Sequence, residues 1–145
     1  MRFMMIVLPK SYDVEPEPEL FGAMDRYNLK LLKAGILRSM EGLHPPEKGF
    51  RVSFKNGKPV VKDGPFTEAK EIVGGYWLID VKSRAEALKW AKQIPGNANM
   101  VVEVRQAEEF EDFSPEIQAA AKNEPAIRGS LEKTRTAAKK NKKKS

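Results

Sequence analysis

The chain has 145 residues, 41% hydrophobic and 32% charged, which suits one globular domain with a core of its own. It has no cysteine and one histidine, His44, which excludes disulfides, thiolate metal sites, a cysteine nucleophile and a multi-histidine metal centre. The net charge of +6 lies in residues 114–145, with nine basic against three acidic residues, while residues 1–113 hold seventeen of each.

The opening "MRFMMIVLP" has an apolar run of about seven residues, too short for a membrane span. It reads as a strand covered on both faces, over residues 2–8. No small-residue cleavage site follows it, so the expected location is cytoplasmic, with no membrane association. "PKSYDVEPEPE" is a loop whose acidic end favours the start of a helix. From Leu20 the apolar period turns helical through Met24, Tyr27, Leu31 and Ala34, with Phe21, Asn28 and Leu32 beside that stripe. Gly35 stops this helix. "ILRSMEGLHPP" is a second strand running into a turn. "FRVSF" and "PVVKD" flank "KNGK", a strong hairpin signal. "IVGGYWLIDV" is the longest apolar strand.

Ser83, with Glu86 three residues later, caps a second helix that turns Ala85, Leu88, Ala91 and Ile94 inward and ends at Pro95-Gly96. "MVVEVRQAEEF" is the last strand. The order is that of an α+β fold, a ferredoxin-like split β-α-β sandwich with an added β-hairpin. Two helices cover one face of such a sheet. The other face is too apolar for water, so a homodimer packed sheet to sheet is expected. After Phe113 the composition shifts. A short helix over residues 115–122, capped by Ser114, precedes a stretch interrupted by Gly, Pro and polar residues, and the final "KKNKKKS" is expected to be disordered. The division is thus a domain over residues 1–113 and a helical extension with a Lys-rich tail over residues 114–145.

"DGPFTEAKE", together with "MDRYNLKLLKAGIL", "EGLHPPEKG", "KDGPFTEAKEIVGGYWLIDVKSRAEALKWA" and "EVRQAEEFEDF" in that order, resembles the YCII-related proteins of the DGPF group. The resemblance covers roughly residues 1–113. It implies a ferredoxin-like fold and a dimer, but no defined reaction; most members are uncharacterised and some are encoded beside sigma-factor genes. Relatives in the wider superfamily carry a histidine on the first helix and an aspartate before a proline near the end of the second, a proposed acid–base pair. Asn28 and Ile94 hold those positions here, and neither exchanges a proton near neutral pH. The activity is therefore not carried over.

Several residues remain candidates. Asp63-Gly64-Pro65 is good turn chemistry by itself. The following Thr67, Glu68, Lys70 and Glu71 either guard an exposed edge or line a cleft in which Glu68 and Lys70 point to one side. Tyr27 and Asn28 either satisfy their polar groups locally or face a cavity between the first helix and the sheet. Arg105, in the last strand, either pairs with Glu103 or another acid, or anchors an anion. Trp77 and Trp90 suit a core or a dimer interface. The expected ligand-binding set is Tyr27, Asn28, Asp63, Glu68, Lys70 and Arg105, with no metal or cofactor, and the expected ligand is a small polar molecule. The expectation leans away from an enzyme; the alternative is acid–base chemistry by His44, Asp63 or Glu68. The Lys-rich tail either solubilises the chain, docks an acidic surface, or contacts nucleic acid weakly and without sequence preference.

Overall fold

A computed structural model describes residues 1–12, 17–66 and 71–142, with side chains to residue 136. Glu68 and Lys70 lie outside the described residues. The chain divides into two compact units, Met1–Ala107 and the residues from Glu108 onward.

The first unit contains β1 (Arg2–Pro9), α1 (Pro18–Lys33), β2 (Leu37–Gly42), β3 (Phe50–Lys55), β4 (Lys58–Asp63), β5 (Gly75–Asp80), α2 (Arg84–Ala91) and β6 (Met100–Gln106). Four strands form an antiparallel sheet in the order β2-β5-β1-β6, while β3 and β4 make a separate two-stranded sheet. This is the ferredoxin-like arrangement, with the hairpin inserted between the two edge-paired strands β2 and β5.

Local sequence explains the boundaries. Pro18 opens α1, where its missing N–H costs nothing. Gly35 closes it at φ +72. The Gly35 N–H donates to Leu32 O and the Ile36 N–H to Leu31 O, a Schellman closure. In α2 the Ser83 hydroxyl accepts from the Glu86 N–H at 3.2 Å, while the Glu86 carboxylate accepts from Lys82 N–H at 2.8 Å, one residue earlier than a standard capping box. The Asn56-Gly57 turn has φ of 51 and 74, the left-handed pair that a two-residue hairpin loop needs.

Phe3 and Met5 of β1, Trp77 and Ile79 of β5, Tyr27 and Leu31 of α1, and Ala87 of α2 form the buried core. Alternation then turns Met4, Ile6, Tyr76, Leu78, Val101, Glu103 and Arg105 to the opposite face. The stripe expected for α2 is half right: Ala91 and Ile94 pack against the core, but Ala85 and Leu88 do not. Leu88 is exposed and Ala85 also faces out, whereas Ala87, Trp90, Ala91 and Ile94 face the core. Their spacing of three, one and three is the helical one; the expected set advanced by threes only and drifted off the face.

The second unit holds α3 (Pro115–Ala120) and α4 (Glu124–Lys142). Ser114 caps α3 as its sequence suggests, accepting from the Ile117 N–H. The expected break is present at residues 121–123, but the chain beyond it is helical: α4 runs for 19 residues, into the segment expected to be disordered. Pro125 sits in the first turn, where it is tolerated. Gly129 costs only about 1 kcal/mol. The Glu124–Arg128 pair at 2.8 Å supports the turn between them. No helix among the described residues is long and apolar enough to cross a membrane.

Candidate functional site

The Gly74-Gly75 pair determines how the end of the sheet is built. A Cβ at Gly75 would stand 2.6 Å from Glu41 O, and one at Gly74 would stand 2.9 Å from Pro9 Cδ. With no side chains in the way, the Gly74 N–H donates to Val7 O at 2.8 Å and its carbonyl accepts from Leu43 N–H at 2.9 Å. The backbone thereby ties β1, β2 and β5 together beside two cavities, and Val7 and Gly74 line both.

The smaller cavity, about 390 Å³, lies between α1 and the β2–β5 edge. Phe21, Met24, Met40 and Trp77 supply much of its wall, and Asn28 an amide. The Trp77 indole N–H donates to Asn28 Oδ1 at 2.7 Å. An indole N–H can only donate, so this contact settles which way the amide faces. Asn28 Oδ1 is engaged, and among the described residues Nδ2 has no acceptor. Sequence reading placed Asn28 correctly beside the inward stripe but gave no sign that Trp77 would be its partner.

Tyr27 has a different role in the geometry. Its ring is buried and meets Trp77 edge to face, with centroids 5.7 Å apart. Its hydroxyl donates to Trp90 O at 3.0 Å. Burial pushes the phenol's pKa far above its ordinary value, so it stays neutral. Tyr27 therefore holds the Asn28–Trp77 pair from behind and is not among the residues lining either cavity.

The other candidates are dispersed. Asp63 ends β4 opposite Phe50 and is exposed. His44 is exposed in the turn after β2. Arg105 is on the sheet face away from α1, largely exposed, with Glu103 at 3.8 Å. None of the three is among the described residues lining a cavity. Trp77 and Trp90 both pack in or against the core. Among the described residues no group of three metal-ligating side chains comes together.

The Asp-Gly-Pro-Phe run has a structural purpose of its own. A Cβ at Gly64 would collide with Pro46 O, and the Gly64 N–H donates to Gly49 O at 3.0 Å. Phe66 lies beneath the Arg51 guanidinium, 4.0 Å from ring centroid to carbon, a cation–π contact. These residues fasten the base of the β3–β4 hairpin.

The larger cavity, about 790 Å³, is at the end of β1 and the start of β6. It brings Tyr12, Glu17, Glu19, Asn97 and Asn99 around an apolar floor that includes Leu20 and Met100. The Tyr12 phenol is raised by burial and then by nearby Glu47. Nothing in the sequence marked this group, because its members come from the β1–α1 connection with the start of α1 and from the α2–β6 connection, about 80 positions apart.

Residues 1–111 match the family model described as the YCII-related domain. The chain is also similar to an uncharacterised protein of Rhizobium meliloti (strain 1021), with 32% identity over 89 residues, covering 61% of this chain and 71% of that one.

Proposed function

The chain belongs to the YCII-related family, and from that premise we propose that it is a cytoplasmic homodimer of the DGPF group that binds a small molecule between α1 and the sheet. Asp63-Gly64-Pro65-Phe66 supports the group. The ligand site is the smaller cavity. Its apolar wall takes the body of the ligand, and the Asn28 Nδ2 donates to an acceptor oxygen, a carbonyl or carboxylate. The observation that carries this reading is the 2.7 Å bond from Trp77, which commits the Asn28 oxygen and leaves its donor end for a guest.

The site works by binding, not by moving protons. Asn28 and Ile94 occupy the two positions where the resemblance leads one to look for an acid and a base, and neither ionises near neutral pH. Native mass spectrometry of the protein purified from cells tests the reading. We expect a retained noncovalent mass in the wild type and its loss in Asn28→Asp, whose carboxylate still accepts from Trp77 but offers no donor. Equal retention by both proteins sinks it.

A second reading concerns the C-terminal segment. Its excess of six positive charges, set on α4 and the residues beyond it, supports weak, sequence-independent polyanion binding. Truncation after Phe113 lowers the affinity for duplex DNA if the reading holds, and equal binding by the full and truncated chains removes it.

A further inference from the structure

Among the described residues the β3–β4 hairpin joins no other strand, and its two faces differ in chemistry. Alternation puts Phe50, Val52, Phe54, Pro59 and Val61 on one side and Arg51, Lys55, Lys58 and Lys62 on the other, with Ser53 and Val60. The hairpin's one carboxylate, Asp63, faces with Phe50 and so lies off the cationic side. The register opposes like charges twice, with Arg51 across from Lys62 and Lys55 across from Lys58.

Directly opposed like charges destabilise a strand pair, and a lone two-stranded hairpin is marginal already. A single lysine would suffice to guard an exposed edge; two rungs of opposed cations go further. Among the described residues no carboxylate lies within ion-pair reach of any of the four. Arg51 is held at the base of the hairpin by its stack on Phe66. The cationic face is thus anchored, without a neutralising carboxylate among the described residues, and costly to the free fold, and an external polyanion relieves that cost.

We propose that this face binds the phosphate backbone of B-form duplex DNA. The two rungs are four residues apart, about 13 Å at roughly 3.3 Å per residue. That spacing is close to the roughly 12 Å width of the major groove, which admits a two-stranded ribbon. One rung then serves each wall of the groove. The major groove of A-form RNA is too narrow for such entry. An anionic bilayer fits less well, because contact through the apolar face turns all four cations away from it. Cations alone position a protein on DNA without reading bases, so the binding is sequence-independent. It depends neither on the ligand cavity nor on the C-terminal segment.

The test is fluorescence anisotropy of the full-length protein with a short labelled duplex, over a range of salt concentrations. One variant combines Lys55→Gln, Lys58→Gln and Lys62→Gln. Another replaces Lys139, Lys140, Lys142, Lys143 and Lys144 with Gln. The hairpin variant should bind roughly tenfold more weakly or worse, and its log–log salt slope should flatten by about two to three. Its melting temperature should stay level or rise, because the opposed charges are gone. The C-terminal variant should keep the part of the salt slope that the hairpin supplies. The proposal is overturned if the hairpin variant binds duplex DNA like the wild type, or if all binding disappears with the C-terminal variant. It is equally overturned if the hairpin substitutions weaken only binding to RNA duplexes or anionic vesicles, or if the loss comes with a lower melting temperature, which would make the cations structural.

Discussion

Tyr27 and Asn28 are adjacent in sequence yet serve different neighbours, and single-atom changes separate them. Tyr27→Phe removes the donor to Trp90 O, a carbonyl that also accepts from the Gln93 N–H. The loss should be about 1 kcal/mol in urea unfolding. Trp77→Phe keeps the edge-to-face aromatic contact but strips Asn28 Oδ1 of its donor. It should cost a similar amount and also weaken ligand retention, since the amide is no longer oriented. Asp80 provides a pH test. Hydrogen bonding from the Arg38 guanidinium, at 3.1 Å from Nε to Oδ2, holds its carboxyl below the usual range, against the opposing effect of burial. A depressed folded-state pKa means the stabilisation is complete above the unfolded value, near about 4, and is lost as the pH falls through the folded value. Urea titrations of the wild type should therefore show a steeper fall in stability below about pH 4 than those of Asp80→Asn.

Glycine substitutions probe the elements, because one chemical change should give opposite signs at different places. Gly75→Ala drives a methyl into the Glu41 carbonyl between β2 and β5 and should destabilise by about 1–3 kcal/mol. Gly22→Ala lies inside α1, with only the end of the flexible Arg26 side chain at 3.5 Å, and should stabilise by about 0.5–1 kcal/mol. Urea midpoints of the two variants should move in opposite directions. The same elements show what the sequence could reveal. Asn56-Gly57, Gly35 and Ser83 fixed their turn, stop and cap by local chemistry, so those boundaries were readable. The inward face of α2 was not, because alanines and leucines on a short helix carry little periodic signal. The length of α4 was misread because Pro125 and Gly129 were weighed as breakers without regard to position. At the site, Asn28 was legible as a polar residue near an apolar stripe. Its bond to Trp77 spans 49 positions and depends on sheet register, which no local pattern contains. The Asp-Gly-Pro-Phe run was legible as a turn, whereas its contacts with Pro46 and Arg51 are tertiary.

For the whole molecule the governing question is the sheet face away from α1 and α2. Met4, Ile6, Tyr76, Leu78 and Val101 share it, and Val101 is 55% exposed. No described element of Met1–Ala107 packs there to form a second core. Four strands at about 4.8 Å spacing and about 20 Å length give a footprint of roughly 400 Å². A standard interface removes about 800 Å² of accessible surface per partner, about twice that flat footprint, so the proposed dimer needs the whole face and the relief of its side chains. A charge at its centre should break it. Light scattering on a sizing column should give twice the 16.3 kDa chain mass for the wild type and a single chain mass for Leu78→Glu, whose position in β5 is central to the sheet. Glu103 and Arg105 lie on the same face at its β6 edge, so Arg105→Gln should leave the mass doubled. Circular dichroism must show Leu78→Glu still folded, because its side chain points away from the core that Trp77 and Ile79 complete. A wild-type protein that runs as one 16.3 kDa chain at every concentration would refute the dimer and leave that apolar face without an explanation.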